Sequence, residues 1–102
     1  MIVVTNRIPV AKGHEAAFDA RFQGRAGLVE KRRGCRGFQL LRPIKGDAYM
    51  VMTWWDTEAD FQAWTESEEF REAHRNRPPK ELFAGPNVFE THEVIQRVDI
   101  AR

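Results

Sequence analysis

An α+β sandwich, one antiparallel sheet with helices on a single face, is predicted by three observations. Four β-branched or apolar runs are punctuated by Gly, Pro and Asn. An amphipathic stretch separates the first run from the second, and two consecutive N-cap signatures separate the third from the fourth. At 102 residues the chain is expected to form one domain, 1–102, able to bury roughly two thirds of its unfolded surface.

Each element has its own signal. Ile2-Val-Val-Thr-Asn6-Arg-Ile8-Pro-Val10 is a short strand that Pro9 confines to an edge or an end. Gly13 breaks it. From His14 to about Arg33 the apolar residues Phe18, Phe22, Ala26 and Val29 recur at helical spacing, which predicts one long amphipathic helix stopped by Gly34 and Gly37 around Cys35. Phe38–Pro43 and Ala48–Trp55 read as strands joined by a hairpin turn at Lys45-Gly46-Asp47. Thr57 followed by Asp60 resembles a capping box, and Ser67 followed by Glu68 and Glu69 reads as a second N-cap, so two short helices follow. The segment from Asn76 to Asn87, with Pro78, Pro79 and Pro86, is a loop, and Val88 to about Ile100 is the last strand. The resulting order, β-α-β-β-α-β, is that of a ferredoxin-like sandwich.

The third strand carries a further implication. Tyr49, Val51 and Trp55 lie on one face and Met50, Met52 and Trp54 on the other, so both faces are apolar. Helices cover only one of them. A second copy of the chain is the simplest cover for the other, which predicts a homodimer closing a barrel between two sheets.

Composition narrows the partners. A net charge of +1 lacks the basic excess of a nucleic-acid binder, and no run is long and apolar enough for a signal peptide or a membrane span. The single cysteine, Cys35, cannot form an intrachain disulfide. A cytoplasmic protein is expected. Cys35 is read as an inert, partly buried thiol with a redox role as the alternative. His14 and His92 are read as surface residues.

The segment from Trp55 to His74 holds the candidate site. Phe70 and His74 stand i and i+4 on the second short helix, with Trp64 on the helix before it. From these residues alone, His74 is either a packing residue or a ligand, and Trp64 either core or cofactor contact.

Together, Asn6 and Arg7 in the first strand, Phe22 in the long helix, Trp64, and His74 within Phe70-Arg-Glu-Ala-His74 resemble the IsdG-type haem-degrading monooxygenases. These belong to the antibiotic-biosynthesis-monooxygenase-like dimeric α+β barrels, and the likeness runs from Ile2 to the last strand. It implies that haem is both substrate and prosthetic group, with His74 the axial ligand to iron through Nε2. Asn6 would donate a hydrogen bond toward oxygen bound at iron, Trp64 would push the porphyrin out of plane, and Phe22 would line the pocket. An electron-donating reductase is implied as partner, since no G-x-G-x-x-G motif for flavin or nicotinamide occurs. No residue matches a propionate-binding role; Arg75, Arg77 and Lys80 are near enough to serve, or are simply solvated. Two other readings fit the same residues: a cofactor-free monooxygenase of quinols or polyketides, and a non-enzymatic haem-binding or stress-response barrel.

Overall fold

The computed structural model describes residues 1–25, 27–75 and 77–101. Among them run β1 (Ile2–Ile8), α1 (Glu15–Gln23), β2 (Cys35–Leu41), β3 (Tyr49–Trp55), α2 (Glu58–Thr65), α3 (Glu68–Ala73) and β4 (Val88–Glu93). The strands form one antiparallel sheet in the order β2-β3-β1-β4, the ferredoxin-like arrangement the element order predicts.

β2 begins three residues earlier than expected, at Cys35, and β1 stops at Ile8; two other boundaries differ more. The long helix to Arg33 is absent: α1 ends at Gln23, and a single 3-10 turn over Val29–Lys31 follows. Gly24 is the C-cap, and Gly27 adopts φ +71°, a left-handed conformation that no helix accommodates. Ala26, one of the expected helix positions, lies outside the described residues. The last strand ends at Glu93 and not near Ile100, because its ladder with β1 is exhausted there: Glu93 pairs with Ile2, and the Val94 amide donates to the Met1 carbonyl at 3.0 Å. A strand needs a partner, and among the described residues none pairs with β4 beyond Glu93.

The two short helices begin where their caps predict. Thr57 Oγ1 accepts from the Asp60 amide and Ser67 Oγ from the Phe70 amide, each at 3.1 Å. The loop after α3, whose expected start at Asn76 is outside the described residues, is anchored by Leu82, buried in a 3-10 turn, and by a bridge between Val10 and Phe83.

The register sorts the sheet into two faces. Ile2, Val4, Asn6 and Ile8 share one with Tyr49, Val51, Thr53 and Trp55. Helices cover it, and its buried residues fall into two clusters. One joins Ile2, Val4, Trp55 and Trp64, with Leu28, Val29, Cys35, Phe61 and Phe70 packed on it. The other joins Ile8, Phe18 and Tyr49, with Val10, Phe22, Leu40, Val51 and Phe83 around them. Trp55 is wholly enclosed, so its indole N–H needs an internal acceptor and donates to Thr53 Oγ1 at 2.9 Å. On the opposite face Met50, Met52 and Trp54 are half-buried, although no helix covers them.

Candidate active site

Asn6 stands in the seam between the two clusters. On its face of β1 it follows Val4, which belongs to the first, and precedes Ile8, which belongs to the second. Its neighbours across the sheet are Val51 and Phe89. Asn6 Oδ1 is buried and meets no hydrogen-bond partner among the described residues. An orphaned buried acceptor costs on the order of 1–3 kcal/mol, so a polar side chain on this apolar floor opposes stability. The amide can turn to present its NH2 group in the same direction.

Walls rise on either side of that seam. Trp64 is buried within the first cluster, where Phe70 meets it edge-on with ring centroids 5.5 Å apart. Phe22 is half-buried in the second, 5.0 Å from Phe18. Ion pairing holds that wall in place: the Arg42 guanidinium on Asp19 keeps its carboxyl below the usual carboxylate range, tying α1 to the sheet beside Tyr49. Phe89, beside Asn6 on the ladder, is 67% exposed and lies under no helix. Sequence reasoning missed it. Its parity in β4 was readable, but only the β1–β4 register sets it next to Asn6.

His74 closes the line. It is the C-cap of α3, and its imidazole is exposed. The ring lies over the Phe70 ring, 4.1 Å between centroids and 31° between planes, with Nδ1 2.8 Å from the Phe70 carbonyl oxygen. Trp64, Phe70 and His74 are therefore one continuous aromatic run leading from the core to the surface.

The other candidates are placed elsewhere. His92 is exposed on β4 opposite Val3, on the far side of the sheet from Asn6. His14, expected at the surface, is half-buried at the N-cap of α1 without a side-chain capping bond. Cys35 is half-buried against the first cluster, and desolvation raises the pKa of its thiol. Arg75 pairs with Glu72, while Arg77 and Lys80 are exposed.

This donor set suits a flat, apolar, metal-bearing macrocycle. Aromatic side chains would offer area to a large ring, the exposed imidazole, whose Nδ1 is engaged by the Phe70 carbonyl, has its second nitrogen left for a metal, and Asn6 would offer a polar group. Among the described residues no three His, Cys, Asp or Glu side chains gather, so a bare ion has no ready ligand set.

Residues 1–76 match the model of the antibiotic biosynthesis monooxygenase family. The chain belongs to that family. Among its relatives is the haem oxygenase (staphylobilin-producing) of Staphylococcus haemolyticus, 42% identical over 86% of each chain. The haem oxygenase (mycobilin-producing) of Mycobacterium tuberculosis is 36% identical over 92% of this chain and 90% of its own. Among solved structures, the haem degrader MhuD of Mycobacterium tuberculosis, with two haems in its active site, superimposes with a TM-score of 0.80. That pair is 35% identical, and the match covers 97% of this chain and all of the other. The family membership and the ferredoxin-like α+β fold expected from the sequence are those found.

Proposed function

We infer that this member of the antibiotic biosynthesis monooxygenase family is a haem-degrading monooxygenase, an oxidoreductase that opens the porphyrin with O2 and externally supplied electrons. The observation that carries it is the near full-length similarity to haem oxygenases. The side chains of His74, Asn6, Trp64 and Phe22 support it, since their chemistry suits haem. Bound haem supplies the oxygen-activating chemistry itself, being substrate and prosthetic group at once. The chain's task is to bind, orient and desolvate.

In this reading His74 holds the iron through Nε2, the nitrogen not engaged by the Phe70 carbonyl. Asn6 supplies a hydrogen-bond donor at an otherwise apolar floor, where a donor acts at low dielectric. Phe22 lines the pocket. Trp64 would crowd the porphyrin with the small part of its indole that the core leaves exposed. Two copies close a barrel through the face bearing Met50, Met52 and Trp54, and a reductase delivers electrons. The whole chain, 1–102, acts as one domain in the cytoplasm; no helix among the described residues is long and apolar enough to cross a membrane.

Titrating haemin into the apoprotein tests the ligand. A Soret band that saturates at one haem per chain is expected, and His74→Ala should abolish iron ligation while leaving the circular dichroism of the fold intact. An unchanged Soret position and affinity in that variant would assign the iron to another side chain, with His14 and His92 the next candidates.

A further inference from the structure

We propose that Phe70 is the positioning residue that aims His74, fixing both its tautomer and its ring plane before haem arrives. The proposal rests on the reading of His74 as iron ligand, and its test separates the two.

An exposed histidine at a helix end ordinarily rotates freely and carries its neutral proton on either nitrogen. His74 does neither. Three of its contacts go to one residue: its backbone N–H donates to the Phe70 carbonyl at 3.1 Å, Nδ1 lies 2.8 Å from that same oxygen, and its ring stacks on the Phe70 ring at 4.1 Å. A carbonyl oxygen has no proton to give, so in the neutral ring the proton must sit on Nδ1. Nε2 is then left with its lone pair outward, the form a metal requires.

The last-turn carbonyls of a helix need partners, and a glycine just past the C-cap commonly helps the backbone supply them. Here Arg75 occupies that place, and the imidazole itself serves as a second donor to Phe70. The sequence thereby makes a helix end and a ligand orientation from the same bond.

Phe70 can hold His74 because Phe70 is itself held. Its amide is capped by Ser67 Oγ at 3.1 Å, and its ring packs on the core cluster of Ile2, Val4, Trp55 and Trp64. The Trp64 indole meets it at 81°, nearly perpendicular. The rigid core thus reaches the exposed imidazole through one aromatic side chain.

The decisive measurement is made without haem. Long-range 1H–15N correlation spectra of the 15N-labelled apoprotein, taken at a pH where His74 is neutral and assigned by difference with His74→Ala, report the tautomer directly. The wild type should show the Nδ1–H form predominating. Phe70→Leu keeps the backbone carbonyl and should keep the Nδ1–H tautomer, but without the stacked ring it should bind haem about three- to tenfold more weakly, the range expected when an ordered side chain must be immobilised on binding. Phe70→Tyr, which keeps the ring, should restore the affinity. A wild-type Nε2–H tautomer overturns the proposal outright and needs no variant to fold. So does a Phe70→Leu protein with lowered melting temperature but unchanged affinity, which would make Phe70 a core residue only. If His74→Ala keeps wild-type haem ligation while the apoprotein tautomer is as stated, the ligand assignment fails and the positioning of the imidazole by Phe70 stands.

Discussion

Asn6→Ala isolates the unpartnered polar atom between the two core clusters. Because Oδ1 is buried without a partner, truncation removes an unsatisfied acceptor and should leave stability unchanged or slightly raised. If the amide acts on the reacting centre, haem affinity should stay near that of the wild type while single-turnover degradation slows about tenfold or more, in line with the loss of a preorganised donor. Equal rates, or a clear fall in melting temperature, would make Asn6 structural. At this scale the sequence was informative because Asn is unusual in a strand and because Asn6, Trp64 and His74 together carried the resemblance to the haem-degrading monooxygenases. What it could not show is surroundings. Trp64 proves to be only 5% exposed, so most of its indole serves the core and little is left to press on a ligand. The exposed Phe89 becomes meaningful only through its pairing with Asn6.

Helices α2 and α3 span eight and six residues, too few to be stable in isolation, so their caps and tertiary contacts sustain them. Ser67→Ala removes one capping bond at the Phe70 amide, and it also removes the 2.7 Å bond from the Ser67 hydroxyl to the Trp64 carbonyl that fixes the angle between the helices. A loss of about 1 kcal/mol in denaturant unfolding is expected. Thr57→Ala, which removes the cap of α2, should cost a similar amount. The two should part in haem affinity, with Ser67→Ala the weaker binder because α3 carries His74. Equal affinities would uncouple the cap from the site. Both caps were legible since capping is local chemistry at fixed spacing. The length of α1 was not: apolar spacing continued through Val29, but the backbone conformation of Gly27 decided the matter. The end of β4 escaped for the opposite reason, since strand length depends on a partner distant in sequence.

Across the whole molecule, the sheet face away from the helices is what motivates the proposed dimer. It presents Met50, Met52 and Trp54 half-buried, and beyond β4 the side chains of Ile95, Val98 and Ile100 are 89%, 74% and 70% exposed. Leaving such a surface in water is unfavourable, at roughly 25 cal/mol per Å2 of apolar area. Sedimentation equilibrium at micromolar concentration should return twice the chain mass of 11.9 kDa. A monomer there would require another cover for this face. The two-faced apolar pattern of β3 was visible in the sequence, and the register adds that buried Thr53 sits on the helix side as the acceptor for Trp55.

Haem degradation itself is tested by a single turnover. Apoprotein is loaded with one equivalent of haemin and mixed with ascorbate in aerated buffer, with catalase present to remove free hydrogen peroxide and ferrozine to trap ferrous iron. The Soret band should decay, an open-chain tetrapyrrole chromophore should replace it, and iron should be released in proportion to haem lost. A Soret band that persists under reductant and O2, with no iron released, would contradict it and leave a protein that binds haem without degrading it.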